Sequence, residues 1–304
     1  MNKRLFSLFS IGLFFLTLVS CTSTNSKKDS VSKLKGNIVI DGSSTTYPMT
    51  EIIAEEFSYK YPHIRVSIGE SGTGGGIKKF TEGRIDIVNA SRRITSSEYE
   101  NALNNQINPV ELIAAMDGIS IVVNSKNNFA KNLTKEELNH IFRQDNPAKY
   151  WSDVREGFPK ELIKVYTPGT SSGTFEFFTE IINEQSKSQR EDAILSENDN
   201  VLIRGISEDK YAIGYFGYGY YEANKSKINL VSIDGIAPSN KTIYNKSYLL
   251  SRDLYIYFDK NDLDRQEINK FIEFYMMNAN KLANEVKLVG LSQDDYNAQL
   301  SNIQ

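Results

Sequence analysis

The chain has 304 residues, of which 40% are hydrophobic and 24% charged, with a net charge of −3. That composition is globular, long enough for two domains, and excludes a disordered, collagen-like or coiled-coil chain and the basic excess of a duplex binder. A single cysteine excludes an internal disulfide and any multi-cysteine metal site, and two histidines, His63 and His140, leave little for zinc or His-based catalysis.

The first predicted element is an address. Lys3 and Arg4 precede an apolar run from Leu5 to Val19, which reads as a secretory signal over residues 1–20, too short for a comfortable membrane span. Leu18-Val19-Ser20-Cys21 resembles the bacterial lipobox, in which the cysteine carries lipid and becomes the first mature residue. Residues 21–35, rich in Ser, Thr, Asn and Lys, read as a flexible tether. Loss of residues 1–20 removes two basic and no acidic residues, so the net charge moves from −3 to −5.

From Gly36 onward strand and helix periods alternate. Asn37-Ile38-Val39-Ile40 predicts a strand that ends in Asp41-Gly42-Ser43-Ser44-Thr45-Thr46; Met49, Ile52, Ile53, Glu56 and Phe57 then fall at helical spacing. Ile64, Val66 and Ile68 alternate as a second strand, which ends in Ser71-Gly72-Thr73-Gly74-Gly75-Gly76 before a helix through Ile77 and Phe80. Ile85 to Val88 predicts a third strand, ending in Asn89-Ala90-Ser91-Arg92-Arg93, and Ser96 to Leu103 a helix. A second unit begins near Gly118. It holds a strand over Ile119 to Val123 and a helix over Leu133 to Phe142, with Thr134 and Glu137 spaced as a capping box. A strand over Leu162 to Tyr166 ends in Thr167 to Thr174, and Phe175, Phe178, Ile181 and Ile182 follow at helical spacing. Ala212 to Phe216 and Leu254 to Phe258 are further strands, and Ile268 to Leu282 a long amphipathic helix. This order is the pattern of a mostly parallel α/β sheet.

Several strands thus end in Ser, Thr and Gly and open a helix. Helix N-termini point N–H groups and partial positive charge outward, hydroxyls add donors, and glycine lets the backbone come close. In open α/β sheets ligands bind beyond the carboxyl ends of the strands. Any one such loop is an ordinary helix cap; three in one chain point to a shared small oxyanion. Other motifs compete less well. Gly169-Thr170-Ser171-Ser172-Gly173 fits G-x-S-x-G, but both histidines precede Ser171, against the order of that hydrolase family. Gly72 to Gly76 lacks the last glycine of a dinucleotide loop and the Lys of a nucleotide phosphate loop. The Tyr211 to Tyr221 stretch is either a sugar platform or a strand and turn packed with aromatics.

At these loops the chain resembles the substrate-binding lipoproteins of phosphate ABC transporters, the PstS type. The segments that carry the likeness are Asp41 to Pro48, Ser71 to Phe80, Asn89 to Arg92, Gly169 to Phe175 and Ala212 to Tyr218, with Ser196 to Leu202 matching one branch. The resemblance implies a type II periplasmic-binding-protein fold: two α/β lobes, each a mostly parallel sheet flanked by helices, with the ligand in the cleft. Residues 36–116 with 246–304 would form lobe I and 117–245 lobe II, with crossings near Met116–Gly118 and Tyr244–Tyr248. Hinge closure would bury a dehydrated phosphate. By position, Ser44, Thr45, Ser71, Thr73, Ser172, Gly173 and Thr174 would donate to it. Where many members have Asp this chain has Arg92, and where many have Arg it has Pro168. Arg92, or else Arg190, is then the candidate cation. Asp117 is either the acceptor for the phosphate proton or a hinge-turn residue. The resemblance implies a monomeric, non-enzymatic receptor without cofactor or nucleic-acid partner. It would be anchored outside the cytoplasm through Cys21 and deliver inorganic phosphate to ABC permease subunits. Another oxyanion such as sulfate or molybdate, or a hydrolase using Ser171, is the alternative.

Overall fold

The computed structural model describes residues 34–196 and 198–303. The signal segment 1–20, Cys21 and the tether up to residue 33 lie outside the described residues. Leu34, placed in the tether by composition, packs partly buried against the main core.

Ten strands form one twisted sheet: β1 Gly36–Gly42, β2 Ile64–Ile68, β3 Ile87–Ala90, β4 Pro109–Asn124, β5 Asn132–Leu133, β6 Lys164–Pro168, β7 Ile194–Ser196, β8 Ala212–Gly217, β9 Ile228–Ile233 and β10 Ser251–Asp259. The helices are α1 Tyr47–Lys60, α2 Gly72–Thr81, α3 Ser96–Asn104, α4 Lys135–Phe142, α5 Trp151–Val154, α6 Gly173–Ile182, α7 Asp199–Glu208, α8 Tyr218–Asn224, α9 Asn240–Tyr244, α10 Gln266–Ala283 and α11 Gln293–Ser301. None is long and apolar enough to cross a membrane among the described residues.

The strand order is β2-β1-β3-β10-β4-β8-β6-β7, with β9 joining β4 to β5. β1 pairs in parallel with β2 and β3, and β6 with β7 and β8, as the alternating pattern predicts. β4 and β10 depart from it: both run antiparallel to their neighbours, so the sheet is mixed. The reason lies in the length of β4. Its first part, to Gly118, pairs with β10, and from Ile119 it pairs with β8 and then β9. One sixteen-residue strand thereby joins the β10 side of the sheet to the β8 and β9 side. β10 begins at Ser251, and just before it Leu250 O accepts Ile119 N–H at 2.9 Å. Buried Tyr248 packs there and donates its hydroxyl to Ile119 O at 2.8 Å.

The main core follows β4 through the molecule. It joins Phe57, Phe271 and Tyr275 between α1 and α10 to Phe142, Phe178 and Tyr215 between α4, α6 and β8. Burial of such aromatic side chains supplies roughly 2–3 kcal/mol each. Thr134 caps α4 as read from the sequence, accepting Glu137 N–H at 3.1 Å while Glu137 Oε2 accepts Thr134 N–H at 2.8 Å. The third strand begins at Ile87 rather than Ile85, because the Asp86 carboxylate turns to accept Val39 N–H at 2.7 Å. The Tyr211 to Tyr221 stretch resolves into β8 followed by a helix, α8.

Candidate anion-binding cleft

In lobe I three strand ends are stitched together. Gly42 closes β1 with φ +135, and a Cβ there would lie 2.1 Å from Asn89 O, so only glycine fits. The loop beyond it is fixed by Ser43 N–H to Asn89 O at 2.9 Å and by the Thr46 hydroxyl to Ala90 O at 3.2 Å. Asp41 ties this loop to the next: Oδ1 accepts Gly42 N–H at 2.7 Å and Ser71 N–H at 2.8 Å, and Oδ2 pairs with Lys79. Burial pushes this carboxyl up, but Lys79 and the N–H donors outweigh it and hold the group below its ordinary value. Gly76 in α2 has a packing cause, since a Cβ there would sit 2.5 Å from Gly42 Cα. The Thr73 hydroxyl accepts Ser91 N–H at 3.0 Å, joining the second loop to the third.

In lobe II, α6 starts at Gly173. Ser172 caps it, accepting Thr174 N–H at 3.1 Å. This start faces the first loop of lobe I so closely that a Cβ on Gly173 would lie 2.5 Å from Thr45 Oγ1. The start of α6 thus lies against the loop that leads into α1.

Arg252, at the start of β10, sits between them. Its Nε and Nη2 donate to Asp117 Oδ2 at 3.1 and 2.9 Å, Nη1 to Gly173 O at 3.1 Å, and Nη2 to Thr45 Oγ1 at 3.2 Å. The guanidinium also lies 4.7 Å from the Phe177 ring centroid. Both charged side chains are buried, 8% exposed for Arg252 and 7% for Asp117. Next to it, Asp253 Oδ2 takes Lys246 and the Tyr255 hydroxyl, while Oδ1 is buried with no hydrogen-bond partner among the described residues. Burial, with the charge of Asp253, pushes Tyr255 up to about 12.

Two cavities of about 630 and 670 Å3 flank this contact and share Ser44, Ser71, Gly72, Ser171 and Gly173 as walls. Thr45, Asp117, Ser172 and Thr174 line the second cavity; Arg92, Arg252, Asp253 and the Thr73 loop line the first. Of the sequence candidates, Arg190 is not brought to the cleft. It is 3% exposed inside lobe II, where Nη1 donates to Ile141 O and Ala148 O at 2.9 Å and Nη2 to Asp192 at 2.9 Å. Arg92 reaches the wall, but both its Nη atoms donate to Glu98 at 2.9 Å. Neither His63 nor His140 lines either cavity. Among the described residues no group of three or more His, Cys, Asp or Glu could hold a metal. Sequence reasoning missed Arg252 and Asp253. Their one signal is a charged pair opening an otherwise apolar strand.

The PBP superfamily domain matches residues 27–279. Protein SphX of Synechocystis is 37% identical over 295 residues, covering 94% of this chain and 85% of that protein. The phosphate-binding protein PstS of Staphylococcus saprophyticus is 37% identical over 277 residues, covering 89% and 85%. Among solved structures, a "possible phosphate binding protein" from Planctomyces limnophilus has a TM-score of 0.80 at 40% identity, covering 89% of this chain and 99% of that one. An ABC-type phosphate transport receptor from Vibrio cholerae has a TM-score of 0.70 at 25% identity, covering 84% and 100%. With its two-lobed α/β fold and its match over most of its length, this chain belongs to the PBP superfamily and, within it, to the PstS-type phosphate-binding proteins.

Proposed function

We propose that the chain captures inorganic phosphate between its lobes and passes it to an ABC importer, as a receptor and not an enzyme. One observation carries this reading beyond kinship: Arg252, held by Asp117, contacts the Thr45 loop of one lobe and the α6 start of the other. A tetrahedral oxyanion fits such a place, because a guanidinium fork, hydroxyls and helix N–H groups all donate. Ser44, Thr45, Ser71, Ser172, Gly173 and Thr174 are its proposed donors, and Arg252 takes the cationic role expected of Arg92 or else Arg190. Thr73 and Arg92 shape the wall. The working division remains lobe I at 36–116 with 246–304 and lobe II at 117–245.

Phosphate differs from sulfate by the proton it keeps at neutral pH, so selectivity requires an acceptor. Asp117 already accepts two N–H groups of Arg252 on Oδ2. Asp253 lines the cleft with an unpartnered, buried Oδ1, which favours Asp253 as the acceptor. The signal segment 1–20, a lipid on Cys21, the tether, residence at a membrane surface outside the cytoplasm and a monomeric state complete the proposal; the apolar run and the lipobox-like cysteine support its first parts. Titration calorimetry of the lipid-free chain tests the function. Saturable phosphate binding, stronger than that of sulfate or molybdate, is expected, and no heat up to millimolar phosphate would refute it.

A further inference from the structure

We propose that Lys287 is a cationic lid of the cleft, which draws the anion in and clasps the lobes over it; this rests on the phosphate-binding reading above. Lys287 follows α10, where Lys287 N–H donates to Asn284 O at 3.1 Å and Leu288 N–H to Ala283 O at 2.9 Å. Its φ is +62, the left-handed conformation in which helices end on glycine. A lysine there carries strain that glycine would not.

Three contacts give the lid its place. A Cβ on Gly219 in α8 would lie 2.3 Å from both Lys287 Cβ and Lys287 O, so the glycine admits the strained backbone of the other lobe. Lys287 Nζ lies 3.9 Å from the ring centroid of Tyr220. Val289 and Met116 exchange N–H···O bonds at 2.7 and 2.9 Å, which anchors the segment to β4 beside Asp117. Lys287 and Tyr220 line the same cavity as Thr45, Ser172 and Thr174, and Lys287 is the one basic side chain on that wall among the described residues.

The charge pattern explains the choice. Glu70 lines the same cavity, Asp117 there is matched by Arg252, and the chain is acidic overall. An incoming anion meets repulsion unless a cation stands at the entrance. An aromatic face holds an ammonium without neutralising its charge as a carboxylate does, and the flexible lysine stem lets it swing onto the ligand. Charge at a rim acts chiefly on association rate and its salt dependence.

The test is stopped-flow binding of inorganic phosphate at low and high ionic strength to the unaltered chain, Lys287→Gly and Lys287→Arg, with thermal unfolding alongside. Lys287→Gly should associate about fivefold more slowly at low salt and show a flatter salt dependence. Its thermal stability should equal or exceed that of the unaltered chain, because glycine relieves the left-handed strain; a merely structural lysine would change stability alone. Lys287→Arg should keep the association rate. An unaltered rate and salt dependence in Lys287→Gly, with binding intact in the parent chain, overturns this inference alone. Absence of binding in the parent chain overturns the function and this inference with it.

Discussion

Arg252 and Asp117 form a buried ion pair between the Thr45 loop and the start of α6, with Nη2 2.9 Å from Oδ2. The pair is antiparallel-registered across β10 and β4, residue opposite residue, so both backbones are fixed by the sheet before the side chains meet. That preorganisation lets the remaining Nη hydrogens reach both lobes.

Arg252→Ala should therefore do two separable things. It strands a buried carboxylate, at a cost of about 3–5 kcal/mol. It also removes the charged donor from the cleft, worth about 1.5–3 kcal/mol in binding. Arg252→Lys keeps the charge without the fork, so it should recover much of the stability and little of the affinity. Urea unfolding reads the first effect and calorimetry with phosphate the second. Full phosphate affinity in a folded Arg252→Ala chain would remove Arg252 from the site.

Gly173 makes a cleaner probe of closure. Alanine is a good residue at the first turn of a helix, so Gly173→Ala should leave stability within about 0.5 kcal/mol of the parent. The added Cβ falls 2.5 Å from Thr45 Oγ1 of the opposite lobe, so the lobes cannot come together as they do now. Phosphate affinity should drop about tenfold or more, with small-angle scattering showing a more open molecule under saturating phosphate. Equal affinity and equal closure would mean that the two lobes do not need this contact.

The loops that build the cleft were legible because their signal is local. Ser172, Gly173 and Thr174 announce a capped helix start within three residues, and Asp41 to Thr46 follows an evident strand. Arg252 was not legible because its meaning depends on Asp117, 135 positions away. Arg190 misled for the complementary reason: an arginine's type and position are visible in a sequence, but the Ile141 and Ala148 carbonyls that consume it are not. The alternation of elements likewise suggested parallel strands throughout, and only the register shows β4 running antiparallel as the shared strand.

The two arginines carried forward from the sequence should separate in mutants. Arg190→Ala removes hydrogen bonds to two buried carbonyls and should cost about 3 kcal/mol in stability, while the folded fraction keeps its phosphate affinity. Arg92 is 46% exposed and paired with Glu98, so Arg92→Ala should cost less than about 1 kcal/mol. Its effect should appear in phosphate binding, because it lines the cleft. Thermal unfolding and calorimetry on both variants check the contrast. The opposite pattern would return Arg190 to the site.

Asp41 sets an acid limit on the lobe I loops. Burial raises its pKa and Lys79 with the N–H donors lowers it further, so the folded value lies below the unfolded one. The stabilisation from Asp41 is therefore complete above the unfolded value and is lost as pH falls through the folded one. Asp41→Asn should cost about 1–2 kcal/mol near neutral pH, and the gap to the parent chain should shrink below about pH 4. Urea unfolding across that range reads it; a gap that widens on acidification would reverse the assigned sign.

Selectivity tests the acceptor. A buried, unpartnered carboxylate oxygen on Asp253 is costly when it faces sulfate, which brings negative charge and no proton, and is satisfied when hydrogen phosphate donates to it. Asp253→Asn replaces that oxygen with an amide that can donate through its NH2. Sulfate should then bind more tightly, phosphate more weakly, and the ratio of the two affinities should fall by about tenfold or more. Asp117→Asn serves as the control: with Oδ2 held by two Arg252 donors, its loss should weaken both anions together. Competition calorimetry with the two anions separates the cases. A selectivity change confined to Asp117→Asn would transfer the acceptor role to Asp117.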